Sequence, residues 1–194
     1  MILKHSFYQQ PDAVNIAKEL LGKVICTNIN KHFTSAIILE TEAYLGIGDK
    51  ASHAYAGRRT ARNEVMYGPP GFAYVYLCYG IHHLFNVVTN VAGIPHAVLL
   101  RAVKPLEGES WMLKRRGITQ ATKNYTSGPG KLSAALGIQT KHNGLDLTGR
   151  LIWIEDQNIH VQASQIISTP RIGVDYAGAD ALLPYRFLVK PNAF

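Results

Sequence analysis

The chain has 194 residues, 47% of them hydrophobic, and carries 20 Lys and Arg against 13 Asp and Glu, for a net charge of +7 and an isoelectric point near 9.4. That length and apolar content suffice for a single domain, 1–194, with a full-sized core, and no long Ser/Gly/Pro-rich tract or internal repeat argues for a linker or a solenoid. A basic surplus of this size favours a polyanionic partner, either nucleic acid or an anionic membrane face.

The N-terminal Met-Ile-Leu-Lys-His-Ser-Phe lacks the charged-then-apolar layout of a secretory signal, so a soluble intracellular protein is expected. Val14, Ile16, Ala17, Leu20 and Leu21 recur at helical spacing and predict a helix over 11–21, with Asp12 near its start and Gly22 as its stop. Residues 23–28 and 34–44 predict a hairpin joined through Asn28-Ile29-Asn30-Lys31. The stretch 46–71 is long, polar and irregular and holds a basic cluster of Arg58, Arg59 and Arg62. Residues 72–79 and 81–90 predict a second hairpin with Tyr79-Gly80 at its tip, followed by an apolar strand over 97–103. Helices are predicted over 107–116, closed by Gly117, and over 127–136, with Pro129 in the first turn and Gly137 after the last. Late strands fall at 151–154 and 185–189. Hairpins and scattered helices without βαβ alternation indicate an α+β fold: one compact domain of mixed, largely antiparallel sheet with surrounding helices and a protruding β-hairpin.

Several chemistries are excluded. Between Val65 and Leu100 there is no Asp, Glu, Lys or Arg, yet Gly68-Pro69-Pro70-Gly71, Asn86, Asn90 and Pro95 break the run, so no membrane span or membrane partner is expected. Cys26 and Cys78 lie far apart in apolar strands and read as buried reduced thiols; no metal site and no cofactor are expected. There is no His-Glu-x-x-His and no Gly-x-Ser-x-Gly. Gly128-Pro129-Gly130-Lys131 departs from a phosphate loop because Leu132 replaces Ser or Thr and Tyr125 the upstream glycine, although a Gly-rich helix start with a lysine can hold one phosphate.

Period-two alternation sets Glu40, Glu42 and Tyr44 on one strand face. Two carboxylates beside an aromatic can frame a hydrolytic site or form a solvated strand end, and the pattern does not choose between Glu40 and Glu42. Tyr67, Phe72, Tyr74, Tyr76 and Tyr79 recur through the neutral segment, and such aromatics near arginines suit base stacking or a wedge as well as a core rim. His53 and the His82-His83 pair read as surface residues.

From Glu40-Thr-Glu-Ala-Tyr-Leu-Gly46 onward the sequence resembles the alkyladenine (3-methyladenine) DNA glycosylase family. The likeness runs through His53, Gly57-Arg58, Thr60, Arg62-Asn63, Met66, Pro70-Gly71, Tyr74-Val75-Tyr76, Tyr79-Gly80, Asn86 and Leu99-Leu100-Arg101-Ala102, then Ser127-Gly-Pro-Gly-Lys131-Leu and Arg171-Ile-Gly173-Val. The resemblance covers nearly the whole chain and implies a monofunctional purine-specific DNA N-glycosylase of base-excision repair. Such an enzyme flips 3-methyladenine, 7-methylguanine, hypoxanthine or ethenoadenine out of duplex DNA and hydrolyses the glycosidic bond without lyase activity.

It implies Glu42 as the group that deprotonates water, Arg101 as its positioning partner, and Tyr44, His53, Tyr76, Asn86 and Leu99 as the base pocket. Tyr79 would be the wedge in the duplex, while Arg58, Thr60, His82, Lys131 and the Gly173 backbone would contact DNA. The implied partner is double-stranded DNA containing a damaged purine, bound by a monomer in the bacterial cytoplasm at the nucleoid, or in the nucleus of a eukaryote. His82 departs from the family's second hairpin tyrosine, Leu84 from a smaller residue, Gly130 from a polar one, and the 91–95 turn is slightly long.

Overall fold

The computed structural model describes residues 1–193. In chain order the elements are α1 (His5–Tyr8), α2 (Ala13–Glu19), β1 (Val24–Ile29), β2 (His32–Tyr44), β3 (Ala73–Cys78), β4 (His82–Thr89), β5 (His96–Glu107), α3 (Glu109–Arg116), α4 (Pro129–Leu136), β6 (Ile152–Glu155), β7 (Ile166–Thr169) and β8 (Arg186–Val189). The eight strands form one sheet in the order β3-β4-β5-β2-β1-β6, with β8 pairing both β2 and β7. Every pairing between these strands is antiparallel. The α+β expectation holds.

Strand β2 organises the sheet. Its 13 residues pair along one edge with β5, and along the other first with β1 and then with β8. Asn30 and Lys31, at φ +55° and +63°, make the tight turn from β1, so Asn28 and Ile29 stay in the strand opposite Phe33 and His32. Helix α2 is shorter than expected; Asp12 caps it by accepting from the Val14 and Asn15 N–H groups at 2.8 and 3.1 Å.

Strand β5 runs past Val103 to Glu107, because exposed Lys104 faces out and Pro105 sits where the register with β2 shifts between Ser35 and Ala36, sparing a ladder bond. The helix expected from 107 therefore starts at Glu109. Gly108 makes the turn at φ +73°, where a Cβ would lie 2.3 Å from the Phe33 carbonyl oxygen. Helix α1 and strand β7 carry too little periodicity to stand out in the sequence, and both are short.

Helices α2 and α4 cover the sheet, α2 against β2 and α4 against β4 and β5. Between them lies the main core, with Tyr8, Ile16, Leu20, Ile38, Phe85, Leu100, Leu132 and Phe187 fully buried. No helix among the described residues is long and apolar enough to cross a membrane.

Candidate active site

One transverse row of the sheet carries much of the chemistry. Tyr74 on β3 stands opposite Asn86 on β4, Asn86 opposite Leu99 on β5, Leu99 opposite Glu42 on β2, and Glu42 opposite Arg186 on β8. Two residues further along, Tyr44 faces Ala97. The register between β2 and β5 slips on both sides of Glu40, a bulge that leaves Arg101 without a direct partner. A bulge re-aims side chains, and here the Arg101 guanidinium reaches both carboxylates: Nε to Glu40 Oε1 at 2.9 Å and Nη1 to Glu42 Oε2 at 3.3 Å.

The two carboxylates differ in what else they touch. Glu40 Oε1 also receives Arg186 Nε at 2.6 Å, so two guanidinium groups hold it. Glu42 is fully buried, which rules out a solvated strand end. Its Oε2 also accepts from the Tyr44 hydroxyl at 2.8 Å, and its Oε1 from the Ile172 N–H at 2.8 Å. Burial first, then the Glu42 charge, push the Tyr44 phenol well above its ordinary range, so it stays a donor. Three donors face Glu42. A carboxylate accepts about four hydrogen bonds, so these three donors leave one acceptor position unfilled.

Ile172 is held where it is by its neighbour. Arg171 is buried, pairs with both oxygens of Asp49, donates to the Ala43 and Asp180 carbonyls, and lies 4.9 Å from the Tyr44 ring centre. Burial opposes the charge on Arg171, but the Asp49 hydrogen bonds and charge outweigh it and its pKa is raised. Asp49 also caps the loop by accepting from the Leu45 and Ala51 N–H groups. The pair thus ties the irregular 46–71 stretch and the 171–173 segment to the end of β2.

A cavity of about 770 Å³ is bordered by Tyr44, Arg101 and Ile172, the three residues that donate to Glu42, while Glu42 itself lies behind them. Its walls include Tyr44, His53, Tyr76, Asn86, Leu99 and Arg101. The His53 ring meets Tyr76 edge-on at 4.7 Å, and its Nδ1 lies 2.7 Å from the Tyr74 hydroxyl, so His53 is no free surface residue. Burial, followed by the charges of Arg62 and Arg58, lowers His53 to about 4 and leaves it a neutral imidazole at neutral pH. Burial likewise lifts Tyr74 to about 12. The Asn86 side-chain N–H₂ donates to the Tyr74 carbonyl at 3.1 Å, which fixes its amide.

The rim is set by the β3–β4 hairpin and the start of α4. Tyr79 sits at the hairpin tip, 90% exposed. His82 packs on Gly130, where a Cβ would fall 2.9 Å from the imidazole, so the room left at 130 is what the His82 ring uses. Tyr79, His82, Leu84, Lys131 and Gly173 all border the cavity. Arg58 and Thr60 do not; they lie on an exposed turn that Asn63 organises, accepting from Thr60 and donating to the Arg58 and His53 carbonyls. The 91–95 turn adds no wall. Cys26 is buried, its thiol pushed up to about 12 by burial and then by Glu155 and Glu107, but Cys78 is only half-buried and borders the cavity, contrary to the expectation for both.

Sequence reasoning gave no role to Asp49, Arg171, Arg62 or the exposed Tyr176 at the cavity mouth. Their partners lie in distant or irregular segments, where periodicity gives no signal.

The profile of the methylpurine-DNA glycosylases matches residues 6–193. Among similar proteins, one of Chlamydia felis (strain Fe/C-56) is 48% identical over 97% of this chain and 96% of its own. One of Alkaliphilus oremlandii (strain OhILAs) is 43% identical over 100% and 98%, and one of Bacillus cereus (strain G9842) 46% over 97% and 96%. Each is provisionally named a 3-methyladenine DNA glycosylase.

Proposed function

This chain belongs to the methylpurine-DNA glycosylase family, and we propose that it excises damaged purines from duplex DNA by hydrolysis at a water activated by Glu42. The observation that carries the reading is the buried Glu42, oriented by Arg101, Tyr44 and Ile172 behind an aromatic-walled cavity large enough to admit a purine.

A purine cannot be attacked at C1′ inside the stack, so the nucleotide must be extruded, which costs about a few kcal/mol and less for a damaged pair. Tyr79, from its exposed tip, fills the gap. Tyr44, His53 and Tyr76 receive the base, and Leu99 and Asn86 bound it, with Asn86 disfavouring the exocyclic amine of normal guanine. The bond from C1′ to the base nitrogen then breaks with its electrons leaving on the base. The water oxygen bonds C1′, and the water proton passes to Glu42. The products are an abasic site and a free base. A cationic alkylated purine leaves neutral, whereas a neutral lesion leaves as its anion and takes a proton from solvent, to which Glu42 returns the one it accepted. The carboxylate also stabilises the oxocarbenium-like charge on the sugar.

The substrates in this reading are 3-methyladenine, 7-methylguanine, hypoxanthine and ethenoadenine. Among the described cavity residues the lysine is Lys131, at the start of α4, which with Arg58, Thr60, His82 and the Gly173 backbone would grip the strand rather than attack the sugar. The enzyme would thus act by hydrolysis alone, as a monomer of one domain.

Single-turnover base release from duplexes with hypoxanthine, ethenoadenine or 7-methylguanine tests the reading. Glu42→Gln keeps the shape and removes the base, and should lower release by at least about 10³-fold while lesion binding persists. Turnover retained in Glu42→Gln would remove Glu42 from its role. No release by the unaltered protein, with lesion binding intact, would make the chain a binding module.

A further inference from the structure

Arg62 is a charged group that the proposed chemistry leaves unused. Its guanidinium carbon lies 4.8 Å from the centre of the Tyr76 ring, and Nη2 donates to the Leu77 carbonyl at 3.3 Å, which tethers the charge at the ring. Arg62, Tyr76 and Leu77 border both the main cavity and a second depression of about 320 Å³ completed by Val75, Thr140 and Asn143. Ring and guanidinium together therefore form the partition between them. Neighbouring Arg59 is neutralised by Glu64, whereas among the described residues no carboxylate lies within ion-pair distance of Arg62.

A base stacked on Tyr76 at van der Waals distance, about 3.5 Å, comes within about 8 Å of this charge. Two effects then act in one direction. The Tyr76 ring already engages a cation, so its quadrupole offers less to a second one. Direct repulsion adds to this if the base is positive. We propose that Arg62 is a specificity-determining residue that disfavours cationic alkylated purines relative to neutral ones such as hypoxanthine, an inference that rests on the glycosylase reading above. The low pKa of His53, to which Arg62 contributes after burial, is a second sign of a positive field in the pocket. Cationic bases already have a labile bond to the sugar. A pocket that discounts their charge narrows the gap between them and neutral lesions, which need more help to leave.

The test is equilibrium binding in the Glu42→Gln background, so that chemistry does not intervene. Duplexes carry 7-methylguanine, hypoxanthine or no lesion, at fixed low salt. Arg62→Gln should raise the affinity ratio of 7-methylguanine to hypoxanthine by about two- to fivefold, the size of a unit charge at about 8 Å in a largely aqueous dielectric. Arg62→Lys, which keeps the charge, should stay near the parent ratio, as should the control Arg59→Gln. An unchanged or lowered ratio in Arg62→Gln overturns the proposal, as does an equal rise in Arg62→Lys, which would trace the effect to packing. Equal affinity for lesion and undamaged duplex in every variant overturns it too. The same ratio read in single-turnover release with Glu42 restored separates the two readings. If no base is released while the binding ratio still shifts, the glycosylase reading fails and Arg62 remains only as a charge that biases lesion binding; if base is released and the ratio does not shift, the Arg62 proposal alone fails.

Discussion

Tyr79 holds φ at +50°, a left-handed conformation that costs a residue with a Cβ about 1–2 kcal/mol, and it sits beside Gly80 at φ +73° in a turn closed by the Ile81 N–H on the Cys78 carbonyl. The geometry projects the ring off the end of β3, where it contributes no core contact. Tyr79→Ala should therefore leave unfolding free energy within about 0.5 kcal/mol, while lesion-duplex affinity falls about tenfold or more through lost stacking and gap filling. Denaturation beside a binding titration checks both, and unchanged affinity would remove the wedge assignment. Glu42 illustrates the limit of reading at this scale. Alternation along β2 put Glu40, Glu42 and Tyr44 on one face, and the shared Arg101 bears that out. What separates the two carboxylates arrives from residues 146 and 130 positions away, Arg186 on Glu40 and the Ile172 N–H on Glu42. No local pattern carries that.

Strands and helices with strong periodicity were legible as elements, and their ends were moved by single residues: Asn30-Lys31 tightened one hairpin, and Pro105 and Gly108 shifted the β5–α3 junction. The 46–71 stretch was legible only as irregular. Short 3-10 turns at Gly46–Gly48, Tyr55–Gly57 and Glu64–Tyr67 organise it, and its order rests on side chains, with Asn63 inside the loop and Asp49 reaching across to Arg171. Removing one partner of a buried ion pair strands the other charge, at about 3–5 kcal/mol. Asp49→Ala should lose stability of that order and also lose base release, because the segment that presents the Ile172 N–H to Glu42 is freed. A stability loss without any loss of release in the folded fraction would show that the 171–173 segment is held by other contacts.

At the scale of the molecule, acid sensitivity follows from groups that fold in a disfavoured protonation state. His53, His96 and His142 all have lowered pKa values, burial being the first cause in each, with His53 at about 4. An unfolded histidine titrates near 6.5, so between there and the folded values the unfolded chain binds more protons and stability falls as pH falls. For His53 the stabilisation is complete above about pH 6.5 and is lost through the window down to about 4. Asp146, Glu155 and Asp156 are also lowered, but their losses come at lower pH, below the ordinary carboxylate range. Two phases are therefore expected on acidification: a first decline carried by imidazoles, then a second carried by carboxylates. His53→Gln removes one proton from the first phase and should flatten the slope of unfolding free energy between pH 6.5 and 4, leaving the carboxylate phase in place. Urea denaturation at half-unit pH steps measures this. An identical slope in the variant would mean that His53 is as protonated in the folded protein as in the unfolded chain, and that the pocket is wetter than its burial implies.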